Sequence, residues 1–263
     1  MTRKTALVTG ASLGIGKAIA EEFARDGVDL VITARSLGAL QMLAVEWSKT
    51  YKIKVTAHAA DLAQPGAADA LADALLAEGV VLDYLVNNAG FGVFGLFRDS
   101  RLEDEVAMMT LNMTSLTVLT KRFLPQILER KGKIMNVASI AAFQPGPYMA
   151  LYYATKAFVL SFTEALASEL VGTGVTVTAF CPGATQSGFF DRAAMHDSVL
   201  VKGRKLPTSE DVGRAGYRAM MAGRRVYVPG LLNRILVQSV RFSPRNMVTW
   251  VAKKITGPAS QES

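Results

Sequence analysis

Thr5-Ala-Leu-Val-Thr-Gly-Ala-Ser-Leu-Gly-Ile-Gly-Lys17 is the stretch on which the fold turns. A short, apolar, β-branched run closes at Thr9, and a helix-length pattern opens at Gly14. Gly10 allows a tight turn between them. Gly14 lets backbone come close to a pyrophosphate, and Gly16 lets the helix pack tightly on the strand. Ser12, Leu13 and Ile15 complete the loop. Its helix N-terminus offers free amides and partial positive charge to phosphate. The spacing is G-x-x-x-G-x-G rather than the commoner G-x-G-x-x-G, so the flanking strand and helix carry as much of the reading as the glycines do.

Outward from this stretch the same alternation repeats. Strand-like runs lie at Thr5–Thr9, Leu30–Ala34, Val55–Ala59, Tyr84–Asn87, Lys133–Val137, Val175–Phe180 and Val226–Pro229. Helix-length segments at Gly14–Asp26, Leu37–Lys52, Ala67–Glu78, Leu102–Arg130, Tyr152–Val171 and Ser209–Ala222 fall between them. Most of the strand runs are apolar nearly throughout, as strands covered on both faces are. The pattern predicts an α/β fold: a doubly wound, Rossmann-type parallel sheet of about seven strands in a single domain. Residues 1–230 are expected to hold that domain, including a long irregular segment near 184–207 that suits a lid. Residues 231–263 read as a basic amphipathic extension.

Half of the 263 residues are hydrophobic and 19% are charged, which excludes a disordered chain. The single cysteine, Cys181, excludes an intrachain disulfide and a cysteine-based zinc site. The two histidines, His58 and His196, are far apart, so no metal site is expected. The formal net charge of +7 is uneven, with 13 basic against 4 acidic residues from Arg192 onward and 16 against 18 before it. The N-terminal apolar run is short for a signal peptide, and no stretch reaches the roughly 18 apolar residues of a spanning helix. The chain therefore reads as cytoplasmic and reduced.

The second strand ends Val31-Ile-Thr-Ala-Arg35, followed by Ser36. A dinucleotide site that prefers NAD commonly has a carboxylate here for the ribose 2′-hydroxyl. Arg35 instead offers a guanidinium that forks onto phosphate oxygens, and no acid is there to repel them. That points to the 2′-phosphate of NADP(H).

Tyr152-Tyr-Ala-Thr-Lys156 puts Tyr152 and Lys156 four residues apart on one helix face. A phenol titrates at about 10 in isolation. A nearby ammonium and a cationic nicotinamide would lower that value, letting Tyr152 exchange a proton with a substrate oxygen at neutral pH. Tyr153 points about 100° away around the helix. Ser139 follows the strand at Lys133–Val137, at the carboxyl edge of the sheet, where ligands of such folds bind. Asn87-Asn88-Ala89-Gly90 ends the fourth strand on the same edge. Asn112 stands in mid-helix, where a buried amide must find partners.

Taken in order, Gly10–Gly16, Asn87–Gly90, Asn112, Ser139, Tyr152, Lys156 and Pro182-Gly183 resemble the short-chain dehydrogenase/reductase family in its single-domain form, from Thr5 to about Pro229. The resemblance implies a catalytic tetrad. Tyr152 would be the general acid/base and Ser139 would hydrogen-bond the substrate oxygen. Lys156 would lower the tyrosine pKa and hold the nicotinamide ribose, and Asn112 would hold a water of the proton relay. Asp61 and Leu62 would meet the adenine, and Asn88, Ala89 and Gly90 would line the cofactor. The segment from Pro182 and Gly183 to Thr185 and Ser187 would meet the carboxamide; Ser187 stands where the family often has threonine. The family also implies a homo-oligomer, dimer or tetramer.

Apolar residues crowd the expected site: Phe91, Val93 and Phe94, then Phe143, Pro145, Pro147, Tyr148 and Met149, then Phe189, Phe190 and Met195. They suit a small hydrophobic carbonyl compound or alcohol as substrate. The chain thus reads as an NADP(H)-dependent oxidoreductase acting on CH–OH and C=O groups. The rival reading is a catalytically silent NADP-binding regulator or scaffold. In the extension, Arg234, Arg241, Arg245, Lys253 and Lys254 punctuate apolar residues, and Pro244 divides it. Such a segment can dock on its own domain, on a partner, or on a membrane surface as a peripheral contact. No nucleic-acid recognition module accompanies the charge.

Overall fold

Along the central strands, neighbouring side chains part to opposite faces. Leu7 goes to one core while Ala6 and Val8 go to the other; Leu85 and its neighbours Tyr84 and Val86 divide in the same way. This period-2 split is what strands buried on both faces require. It accounts for the near-continuous apolar runs in the sequence.

The computed structural model describes residues 3–193 and 205–257. Its elements in chain order are β1 (Thr5–Thr9), α1 (Gly14–Arg25), β2 (Asp29–Ala34), α2 (Leu37–Tyr51), β3 (Val55–Ala59), α3 (Ala67–Ala77) and β4 (Tyr84–Asn87). Then come α4 (Leu102–Met109), α5 (Leu116–Glu129), β5 (Lys133–Val137), α6 (Ala150–Glu169), β6 (Thr176–Phe180) and the short α7 (Phe189–Arg192). The chain continues through α8 (Ser209–Met221), β7 (Val226–Tyr227), α9 (Leu231–Ser239) and α10 (Arg245–Thr256). Seven strands pair in parallel in the order β3-β2-β1-β4-β5-β6-β7. The strand order reverses between β1 and β4. A crevice opens there at the carboxyl ends of the strands, where doubly wound folds bind ligands.

Glycine sets the closest helix contacts. A Cβ on Gly213 of α8 would lie 2.5 Å from the Cβ of Ala18 in α1, and one on Gly216 would lie 2.7 Å from the Phe180 ring. Both positions let α8 settle against α1 and β6.

Two expectations need correction. The segment Leu102–Arg130 is not one regular helix: α4 and α5 are joined by a π-helical turn, Thr110–Ser115, which contains Asn112. The helix carrying Tyr152 starts at Ala150, two residues early. Of the expected lid, Gln186 bridges to Thr208 and α7 follows Gly188, while residues 194–204, including Met195 and His196, lie outside the described residues.

The extension divides at Pro244, as expected, and packs on the same chain. Val237 of α9 and Val248, Ala252 and Thr256 of α10 are buried, and Tyr153 Oη lies 3.3 Å from Thr256 Oγ1. Among the described residues no helix is long and apolar enough to cross a membrane.

Candidate active site

The β1–α1 turn is built by exclusion. Gly10 and Gly14 have φ of 66° and 61°, the left-handed region that favours glycine. A Cβ on Gly16 would stand 2.2 Å from Asn88 Nδ2 and 2.4 Å from the Gly10 carbonyl oxygen, so only glycine fits. The amide of Asn88 uses that space. Its Nδ2 donates to the carbonyls of Thr9 at 2.9 Å and Gly10 at 3.3 Å. Thr9, which the sequence reading passed over, completes the clasp. Its buried hydroxyl accepts from the backbone N–H groups of Asn88 and Ala89, each at 3.0 Å, and donates to the Val86 carbonyl at 3.3 Å. The loops after β1 and β4 are thus one hydrogen-bonded unit. The signal for Thr9 was present, as a hydroxyl at a strand's end beside a glycine turn, but its partner lies 79 residues away.

A cleft of about 690 Å³ opens over this unit. Of the residues expected to act in catalysis or to hold the cofactor, all but Asn112 line it: Gly10, Ser12, Leu13, Gly14, Ile15, Gly16, Arg35, Ser36, Asp61, Leu62, Asn88, Ala89, Gly90, Ser139, Tyr152, Lys156, Pro182, Gly183, Thr185 and Ser187. Arg35 is exposed at the end of β2, and Ser36 caps α2 by accepting from the Ala39 N–H. Asp61 holds its own turn by accepting from the Ala63 N–H, and the Leu62 carbonyl accepts from Ser115 Oγ at 2.6 Å. Thr185 is buried and donates to the Gly183 carbonyl at 2.9 Å. A glycine turn that leaves no room for side chains and a cationic rim fit a phosphorylated dinucleotide.

Asn112 stands behind the cleft wall. Its Oδ1 accepts from the Phe91 N–H at 3.2 Å, and its Nδ2 donates to the Phe91 carbonyl at 3.0 Å and to Thr155 Oγ1 at 3.1 Å. Asn112 stands within the π turn Thr110–Ser115, where the regular backbone ladder is interrupted. Thr155, also missed in the sequence, in turn donates to the Tyr152 carbonyl at 2.7 Å. Asn112 and Thr155 therefore tie the loop after β4 to the helix that carries the tyrosine.

At the floor, Ser139 Oγ accepts from the Ala141 N–H at 3.1 Å and faces the Pro182 carbonyl at 3.4 Å. The Tyr152 phenol is buried. Burial pushes its pKa above the ordinary value, with the Ser139 hydroxyl acting the other way. In the nucleotide-free chain burial, rather than Lys156, is the leading influence on this phenol. The Lys156 ammonium lies 5.8 Å from the centre of the Tyr152 ring and donates to the Val137 carbonyl at 2.8 Å. Adjacency on the helix face thus does not make an ion pair here. Lys156 is itself buried, and desolvation lowers its pKa to about 8. Gly90 makes room for the ammonium and for Asn112: a Cβ there would lie 3.5 Å from Lys156 Nζ and 3.0 Å from Asn112 Oδ1.

Part of the cleft lining is apolar. Met149, Tyr153, Phe189 and Phe190 line it, with Leu236 from α9 and Ile255 from α10. Phe189 packs 5.2 Å from the Tyr152 ring, centre to centre. Tyr153, expected to point away, joins this wall and anchors α10 through Thr256. Phe94 packs instead against Tyr148, and Phe91 belongs to the core. Sequence reasoning missed Leu236 and Ile255, because nothing in their local pattern says which side of the molecule they return to.

Residues 4–197 match the short chain dehydrogenase family. The chain is 38% identical over 185 residues to a 3-oxoacyl-[acyl-carrier-protein] reductase of Synechocystis sp., covering 70% of this chain and 74% of that one. Among solved structures, a short-chain dehydrogenase from Sphingobium yanoikuyae in complex with NADPH superposes with a TM-score of 0.81 at 33% identity, over 91% of this chain and 94% of that one. A bulky-bulky ketone specific alcohol dehydrogenase from Comamonas testosteroni superposes with a TM-score of 0.78 at 29% identity, over 92% and 93% of the two chains.

Proposed function

This chain belongs to the short-chain dehydrogenase family and is an oxidoreductase, and from that premise we propose that it uses NADP(H) to interconvert a hydrophobic ketone or aldehyde and the corresponding alcohol. The observation that carries the reading is one cleft in which Tyr152, Ser139 and Lys156 stand between the glycine turn with its Arg35 rim and an apolar wall. The NADPH-bound relative and the bulky-ketone relative support the cofactor and the substrate class.

When bound, the nicotinamide supplies a hydride to a carbonyl carbon or takes one from an alcohol carbon. The chain's own residues handle the oxygen. In reduction the Tyr152 hydroxyl gives its proton to the carbonyl oxygen, and the Ser139 hydroxyl hydrogen-bonds the same oxygen. A phenol whose pKa burial has raised is fully protonated at neutral pH, which is the state a proton donor needs. Lys156, titrating at about 8, is charged in most molecules at neutral pH and stands where it can stabilise the phenolate that results. Met149, Phe189 and Phe190 exclude water and hold the apolar part of the substrate. A regulator that only holds a nucleotide would have no use for this hydroxyl pair and buried ammonium.

The test is a screen of hydrophobic ketones and aldehydes for loss of the reduced-nicotinamide absorbance. Tyr152→Phe should keep NADPH affinity within about twofold and lower kcat by at least roughly a thousandfold. Turnover that survives this substitution would remove the mechanism. Nucleotide binding with no turnover on any carbonyl compound would leave the silent-scaffold reading.

A further inference from the structure

We propose that the outer face of α9, the turn after it, and α10 docks on an anionic lipid bilayer. The face is apolar where a soluble surface has no need to be. Leu232 and Phe242 are 82% and 87% exposed, and Leu231 and Ile235 are exposed beside them. On α10, Met247, Trp250 and Val251 recur at helical spacing and are exposed as well. These side chains are not left over from a loosely held helix. α10 is fixed to the domain by its other side, where Val248, Ala252 and Thr256 are buried. The helix is therefore apolar on two faces, and one of them meets only solvent within the chain.

Charge selects the occupant. From Leu231 to Gly257 the sequence has five basic residues and no acidic one. Arg241, Arg245, Lys253 and Lys254 are exposed around the apolar patch, and the Lys254 ammonium sits 4.2 Å from the centre of the Trp250 ring. Arg234 is engaged inward, donating to the Val228 carbonyl at 2.9 Å. Exposed aliphatic and aromatic anchors ringed by cations match an interface of acyl chains and lipid phosphates. A second copy of the chain matches it poorly, because two-fold pairing of this face would set the same cations against one another. The contact is one of lying on the bilayer, since none of the described helices is able to span it. Leu236 and Ile255 of the same two helices line the cleft, so docking sets that apolar part of the cleft lining beside the lipid. That last step rests on the hydrophobic-substrate reading above; the docking itself does not.

The experiment is flotation of the full-length protein with phosphatidylcholine vesicles, with and without phosphatidylglycerol. The protein should float with the anionic vesicles, be released as salt rises, and bind the neutral vesicles far more weakly. Trp47 is buried in the domain, so a blue shift of tryptophan emission on binding would report Trp250. Two double variants at exposed positions, Leu232→Ser/Phe242→Ser and Arg241→Glu/Arg245→Glu, should each weaken binding at least ~tenfold with unchanged circular dichroism and Tm. Failure to float, equal binding to neutral vesicles, or binding that neither double variant alters would overturn the proposal. So would a Leu232→Ser/Phe242→Ser variant that changed only the oligomeric mass, since the face would then belong to a second copy. None of these readouts depends on turnover.

Discussion

At the scale of single residues, burial is the leading influence on Tyr152, Tyr153 and Lys156 in the cleft. Lys156 has a pKa of about 8 in the folded chain against 10.5 in the open, because desolvation disfavours its charge. The unfolded chain therefore holds this proton more tightly than the folded one. The cost to stability is fully present below pH 8 and is relieved as pH rises from about 8 to 10.5. In the nucleotide-free protein, wild type should gain stability relative to Lys156→Met across that window, by at most about 3 kcal/mol. Urea titrations at a series of pH values would measure this; a difference that stays flat contradicts it. Arg35 poses a simpler case, because its guanidinium is exposed on the cleft rim. Arg35→Ala should raise the Kd for NADPH at least roughly tenfold while NADH changes little, since only the former carries the 2′-phosphate. Equal weakening would remove the argument for NADP(H). The spacing of Tyr152 and Lys156 was legible in the sequence because i and i+4 share a helix face. The burial that raises the tyrosine's pKa in the nucleotide-free chain was not, because spacing does not say how deeply that face lies.

At the scale of elements, the parallel sheet and its helices were legible to within a residue or two, since buried strands and amphipathic helices leave opposite periodicities. The π turn between α4 and α5 was not. One added residue per turn leaves the apolar pattern of the Leu102–Arg130 stretch looking continuous, and only an asparagine in mid-helix hinted at it. That turn gives Asn112 three hydrogen bonds, two of them to the backbone of Phe91. Asn112→Ala would remove all three from a buried site, at a cost of roughly 2–4 kcal/mol. Thermal unfolding should show the loss directly. Activity should fall as well, because Asn112 and Thr155 hold the loop after β4 against the tyrosine helix. An Asn112→Ala protein with wild-type Tm would show that the turn stands without its asparagine.

At the scale of the whole molecule, the cleft is closed by residues that the sheet does not organise. Gly10 to Gly16, Asn88 and Ser139 all lie at the carboxyl edge of the strands, where the doubly wound topology gathers them. Leu236 and Ile255 come from beyond β7 and return to the cleft through packing and through the Tyr153–Thr256 contact, which spans 103 positions. Short-range pattern carries no information about such a return, and so the extension was legible as amphipathic but not as a wall of the site. Its position predicts a division of labour. On the proposed reading the dinucleotide is held by the loops after β1 to β6, and α9 and α10 add apolar lining for the substrate. Leu236→Ala with Ile255→Ala should therefore leave the Kd for NADPH unchanged. The same pair should raise KM for the best bulky ketone about tenfold or more, since each lost apolar contact in a pocket is worth about 1–3 kcal/mol. A small ketone that never reaches the wall should be turned over as before. If the double variant instead weakens NADPH and spares the bulky substrate, then α9 and α10 serve the cofactor end, and the apolar chamber must be closed by other parts of the chain.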